Sequence, residues 1–210
     1  MIHLSRRSLL SVTSAIALAS LGPVGAALAA DLSKLLEPPA NGEMPLGPET
    51  AKVTIVEYAS TSCPHCAAFN NDVMPGLRAE YIDTGKVRFL LREFPHNDAA
   101  LGGFMVARCA PPDKYHALVD VMFKTQGDWV QAPLEGLKKI ALQAGFTETS
   151  FNECLKNTEI AKGILAERKR GEDFGVQGIP TFFINGELYE GDRTLDAIKA
   201  RIEPLLQAAQ

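Results

Sequence analysis

Two cysteines, Cys63 and Cys66, stand three positions apart in the stretch SCPHCA, directly after the apolar run KVTIVEYAST. Such a pair can clip a loop, bind a metal or exchange electrons. As a clip it is weak: closing about 4 residues removes chain entropy worth roughly 2 kcal/mol, against about 4 kcal/mol for a loop of about 46 residues. A closed tetrahedral metal centre needs four ligands, usually from a second spaced pair. No second CxxC and no HxxxH occurs in the chain, and His96 and His116 stand apart in different segments.

Redox exchange fits the local pattern better. Pro64 suits the first turn of a helix, which makes Cys63 the residue at the helix start. There a sulfur meets unpaired backbone N–H groups and the positive end of the helix dipole, both of which favour the thiolate. The thiolate is the species that attacks or leaves in disulfide exchange. Cys63 is therefore expected to form the mixed disulfide, and Cys66, one turn further in, to resolve it. The dipole supplies at most about 2 kcal/mol, or roughly 1.5 pKa units. His65 is the neighbour expected to add to it by a donor N–H or an imidazolium charge, the alternative being an exposed position at the helix start.

The elements that must position this pair follow from the pattern. Residues 52–58 are β-branched and apolar enough for a buried strand, and the helix that begins at Pro64 is expected to run to about Tyr81. A second strand begins at Lys86. From 97 to 175 apolar residues recur at three and four, as in Leu134, Leu137, Ile140, Ala141 and Ala144, a helical block punctuated by Pro111, Pro112, Pro133 and Gly145. Asn185-Gly186 between two short β-like runs signals a tight hairpin, and a last helix spans Thr194 to about Gln207. Strand, helix, strand, helical block, hairpin, helix is an α/β order: a thioredoxin-like fold, residues 51–96 and 176–210, with an inserted all-helical subdomain, residues 97–175.

Residues 1–29 have a basic start, an Ala/Leu-rich stretch and the small-residue site Ala27-Leu28-Ala29, the layout of a cleavable export signal. SRRSLL within it resembles a twin-arginine signal, although the general secretory route would accept it too. Without that segment the chain carries 19 basic and 25 acidic side chains, a net charge of −6. This argues against nucleic acid or an anionic membrane as partner. Residues 30–50, rich in Pro, Gly and Glu, read as an extended arm. All four cysteines lie beyond the cleavage site, and an even count in an exported chain suggests disulfides. Of the three pairings, spacing selects Cys63 with Cys66 and so leaves Cys109 with Cys154.

Taken together, EYASTSCPHC and GIPTFFINGELYEG resemble the bacterial DsbA family of thiol:disulfide oxidoreductases over the whole chain beyond the signal. The resemblance implies that Pro180 is a cis-proline facing the sulfurs, with Ile179 offering its backbone to an extended substrate. It places an acid, Glu57, buried beneath the site, the plainer alternative being a strand-end carboxylate paired with Arg92 or Lys52. It also matches Cys109 and Cys154 to a second disulfide in the helical insertion, two unpaired buried thiols being the alternative. The implied activity is that of a monomeric periplasmic dithiol oxidase acting on reduced exported polypeptides. A DsbB-type quinone-linked membrane enzyme would reoxidise it, with no cofactor beyond the Cys63, Cys66 disulfide and no metal. Two other readings compete: an isomerase or reductase like DsbC and DsbG, whose dimerisation domain the 20-odd residues before Lys52 are too few to form, and a non-catalytic module that binds a metal or a client.

Overall fold

In the computed structural model the described residues are 32–208, so the signal segment 1–29 lies outside them. The centre is β2 (Val53–Ala59), whose VTIVEYA run is buried on both faces. It pairs in parallel with β3 (Val87–Glu93), Val53 opposite Val87, and antiparallel with β4 (Thr181–Ile184), Glu57 opposite Phe182. Outer strands β1 (Pro45–Leu46) and β5 (Glu187–Tyr189) complete the order β1-β3-β2-β4-β5. A parallel β2–β3 pair needs a crossover, and the helical stretch after Cys63 provides it.

That stretch ends at Ile82, one residue from the expected end, but it is not one regular helix. Between α1 (Pro64–Ala68) and α2 (Met74–Leu77) lies a π turn, Phe69–Val73, and a second, Arg78–Ile82, follows. Pro75 has no N–H to donate to the preceding turn, which accounts for the first interruption. Between β3 and β4 run α3 (Asp98–Cys109), α4 (Tyr115–Lys124), α5 (Gln126–Trp129), α6 (Pro133–Gln143), α7 (Glu148–Leu155) and α8 (Thr158–Asp173). The last helix is α9 (Leu195–Ala208). The β4–β5 turn has φ of 49° at Asn185 and 85° at Gly186. That is the double left-handed turn for which Asn-Gly is suited. Asn185 also accepts the Thr54 N–H at 2.7 Å through its side-chain oxygen, tying the hairpin to β2.

Alternation along β2 divides the core. Val53, Ile55 and Ala59 face a large cluster with α1, α2, α9 and the inner faces of α3 to α7. Val56 and Tyr58 face a smaller one with Leu35, Leu90, Phe94, Val176 and Phe183. On this second face Arg92, fully buried, pairs with Glu43 at 2.7 Å and donates to the Leu35 carbonyl. The arm is thus more than extended chain: it forms a 3₁₀ turn at Leu32–Leu36 and the edge strand β1, and it brings the counter-charge of a buried arginine. Glu57 and Arg92 lie on opposite faces of the sheet, so this pairing is not made, because Tyr58, not Glu57, stands opposite Arg92 in the ladder.

Cys109, ending α3, and Cys154, in α7, form a disulfide with Cα atoms 6.0 Å apart across 45 positions of sequence. Chain entropy assigns such a loop a few kcal/mol. Replacing both with serine is expected to leave the fold intact and lower the melting temperature by about 5–15 °C, read by calorimetry. An unchanged midpoint would remove the stapling role.

Candidate active site

The site is built where β2 ends and turns into a helix. Ser60 and Thr61, both fully buried, follow the end of the strand, and the Cys63 N–H closes a turn on the Ser60 carbonyl at 3.0 Å. Cys63 takes extended backbone angles, φ −88° and ψ 121°, at the N-cap of α1, with Pro64 as the first helical residue. Its carbonyl accepts the Ala67 N–H at 3.0 Å, the first bond of the helix. The geometry therefore leaves the N–H groups of the first turn unpaired by the helix and free to face the sulfur.

Both thiols are free in this structure. Cys66 is sealed from solvent and Cys63 is 6% exposed, so of the two buried residues only Cys63 reaches solvent. Its thiol lies 3.7 Å from the Ile179 carbonyl oxygen. The Ile179–Pro180 peptide is cis, with Ile179 half-buried and Pro180 buried. CPHC and the Ile-Pro loop are thus brought together from segments more than a hundred residues apart.

The two sulfurs are electrostatically unlike. A hydrogen bond from the Cys66 thiol, then the backbone N–H groups of Cys66 and His65 and the charge of His96, lower the Cys63 pKa to about 5, against the opposing cost of burial. The same thiol–thiolate hydrogen bond, burial and the neighbouring Glu57 push Cys66 far upward. One proton shared between adjacent sulfurs settles on the buried one. Glu57, 3% exposed on the same face of β2, is itself raised to about 8, by burial first and the Cys63 charge second, with Arg193 opposing. With Cys63 ionised, Glu57 is a neutral acid beneath the pair near pH 7.

His65 has its side chain exposed in a groove with Phe69, Asp72, Arg193 and Leu195; its backbone N–H faces the thiolate. Two groups escaped the sequence reading. His96, on the loop after β3, lies with Nδ1 2.8 Å from Ser60 Oγ, and its charge reaches Cys63. Gln126, from α5, donates to the carbonyls of Thr61 and Cys63. No spacing marks either of them, because both reach the site through the tertiary fold. Among the described residues no group of three or more His, Cys, Asp or Glu is placed to hold a metal ion.

Residues 40–204 match a protein-family model described as thioredoxin. A putative protein-disulfide oxidoreductase of Rickettsia bellii is 29% identical over 174 residues, which are 80% of this chain and 66% of that protein. Disulfide bond formation protein D of Bacillus subtilis is 28% identical over 181 residues, 81% of this chain and 80% of that one. The chain spans just under two thirds of the length of the rickettsial relatives it matches. Among solved structures, that of Wolbachia pipientis alpha-DsbA1 superimposes with a TM-score of 0.77 at 26% identity, covering 84% of this chain and 97% of that one. Oxidised BdbD of Bacillus subtilis, at 24% identity and a TM-score of 0.70 over 79% and 93% of the two chains, shares the fold.

His96→Gln removes a charge that favours the Cys63 thiolate and leaves the backbone donors in place. Its thiolate absorbance should titrate upward from about 5 by less than roughly one unit; a midpoint unchanged or lowered would exclude His96 from the site's electrostatics. Glu57 gives a second test. A carboxyl held above its unfolded value stabilises the fold fully below about 4.5 and loses that contribution as pH rises through about 8. In the reduced protein, wild type should therefore lose stability relative to Glu57→Gln across that window, by up to about 5 kcal/mol. In the disulfide form, where the Cys63 charge is absent, the window should end lower. A pH-independent difference between the two proteins would show that Glu57 titrates normally.

Proposed function

This chain belongs to the thioredoxin family, and on that premise we propose that it is a DsbA-type thiol:disulfide oxidoreductase that donates its Cys63–Cys66 disulfide to reduced exported polypeptides. The observation that carries the reading is the inequality of the two sulfurs: Cys63 stabilised as an anion and slightly open to solvent, Cys66 sealed and held as a thiol.

The reaction follows from that inequality. A client thiolate attacks Cys63 Sγ, the Cys63–Cys66 bond breaks, and Cys66 leaves and takes a proton, for which the buried Glu57, whose carboxyl is raised by burial and whose charge acts on Cys66, is the candidate donor. A second client thiolate then attacks the client sulfur of the mixed disulfide. Cys63 departs as the anion its surroundings favour, so the leaving group of the last step is the good one. The client loses two electrons and gains a disulfide; the protein is left as a dithiol. The Ile179 carbonyl beside Cys63 offers an extended client segment a backbone acceptor, a mode of docking that reads main chain more than side chains.

The same reading places the protein in the periplasm as a monomer, reoxidised by a DsbB-type quinone-linked membrane enzyme. It rests on the export-signal layout of residues 1–29 and on the DsbA resemblance. By the resemblance His65 and Pro64 belong to it as tuning residues, the exposed His65 side chain adding to the backbone N–H that glycine would keep: His65→Gly should leave the fold intact and make the disulfide less oxidising against glutathione.

The decisive experiment pairs trapping with refolding. Cys66→Ser should accumulate a mixed disulfide through Cys63 when mixed with an unfolded client carrying a labelled disulfide, and Cys63→Ser should not. The wild-type disulfide form should oxidise a reduced client yet leave a scrambled one largely unrepaired. Unscrambling without net oxidation would favour an isomerase of the DsbC type, and stoichiometric metal with no turnover would favour a binding module.

A further inference from the structure

One buried side chain of the helical insertion donates hydrogen bonds to the catalytic turn. Gln126, 9% exposed at the start of α5, donates from Nε2 to the Thr61 carbonyl at 2.8 Å and to the Cys63 carbonyl at 3.1 Å. Both partners can only accept, so the orientation of the carboxamide is fixed by its neighbours, and its two N–H groups are divided between them. We infer that Gln126 is a positioning residue for the reactive sulfur, holding the carbonyl oxygens of Thr61 and Cys63 together and neutralising them on the side away from solvent.

This inference rests on the reading of Cys63 as an exchanging thiolate and adds a determinant from outside the CPHC helix. By covalent connectivity the carbonyl of Cys63 is among the dipoles nearest its own sulfur, and its oxygen bears the negative end. Without Gln126 the Thr61 oxygen would be left unpaired in a buried turn and the Cys63 oxygen would keep only the Ala67 N–H, and both would oppose a negative charge on Sγ. Pro64 contributes no N–H that could offset them. Gln126 supplies two positive N–H ends at that point, and Cys63 O accepts a further bond from Ala67.

The donor is held rigidly. Trp129, one turn on in α5, is 2% exposed and donates from Nε1 to the Met122 carbonyl at 2.7 Å, and Thr125 Oγ1 donates to the Val121 carbonyl at 2.8 Å. Gly136 of α6 lies so close that a Cβ there would come within 2.6 Å of Trp129 Cα. On its other side the turn is gripped by α3, where Thr61 Oγ1 lies against Gly103 and donates to the Ala100 carbonyl at 3.4 Å. The insertion therefore holds the turn before Cys63 from two helices.

The test uses the full chain with Gln126→Met, unbranched and close in volume but without donors. Wild type and variant are reduced, Cys63 is titrated by thiolate absorbance, and the disulfide is equilibrated with glutathione. The Cys63 midpoint should rise by about 0.5 to 1 unit, with the disulfide roughly three- to tenfold less oxidising. A variant that melts lower yet keeps the wild-type midpoint and equilibrium would show a merely structural role and overturn the inference. Should Gln126→Met not fold, Gln126→Leu, smaller and likewise without donors, takes its place. Its Cys63 midpoint should rise by the same amount of about 0.5 to 1 unit, and an unchanged value overturns the inference equally. Wild type separates the two readings: if its own Cys63 titrates as an ordinary thiol, the proposed function fails; if wild type is low and the variant equally low, only the role of Gln126 fails.

Discussion

A negative sulfur at the start of a helix is the constraint on which the rest of this molecule depends. An anion in a nearly buried position is costly unless donors and charges surround it. Here they come from several parts of the chain: the Cys66 thiol, the first-turn N–H groups of α1 and the charge of His96 from the loop after β3. Each also requires the others to be placed. The helix N-terminus exists because Pro64 follows an extended Cys63, and the Cys66 donor exists because one helical turn separates the sulfurs. The favourable anion on one sulfur is the reason the other keeps its proton, so reactivity and resolution arise from a single arrangement.

The two halves of the fold divide this work. The sheet and its flanking helices, α1, α2 and α9, set the turn, place Glu57 under it and carry the Ile179 carbonyl to its rim. The helices inserted between β3 and β4 press on the same turn from the opposite side through Thr61 and Gln126. The polar groups grouped around the reactive pair, Ser60, Thr61, Glu57 and Gln126, are buried, whereas His65 and His96 are at the surface. Such a site has a dry floor and a polar rim, which suits a reaction in which one sulfur must meet a client and the other must not.

What could be read in the sequence was the local part. The strand, the helix start and the hairpin are each written in a few contiguous residues: a β-branched run before CPHC, Pro64 at the first helical position, Asn185-Gly186 where two left-handed residues are required. The π turns around Pro75 were not legible, since a helical period continues through them. Nor was the ionic role of the arm, for Glu43 meets Arg92 only once β3 is folded against it. The Glu57 alternative of a partner at Arg92 failed for a reason that strand alternation contains but one strand alone does not reveal: the register of β2 against β3 puts Tyr58 opposite Arg92. His96 and Gln126 are single polar residues in unremarkable surroundings, 33 and 63 positions beyond Cys63, and only the tertiary fold gives them a site.

If the folded protein stabilises the Cys63 thiolate, it must stabilise the dithiol form over the disulfide form, and the difference must follow the charge on that sulfur. A group held near 5 against about 9 in the unfolded chain contributes stability that is fully present above the higher value and lost as pH falls through the lower. The most direct measurement is denaturant unfolding of both redox forms from pH 8 to pH 4. The account predicts that the stability of the reduced protein relative to the oxidised one falls by an amount of order 2 kcal/mol, after allowance for solvent screening, between pH 7 and pH 4, the fall flattening below about 5, on top of a pH-independent chain-entropy contribution that favours the disulfide form. A difference between the two forms that does not change with pH, or that grows as pH falls, would contradict it.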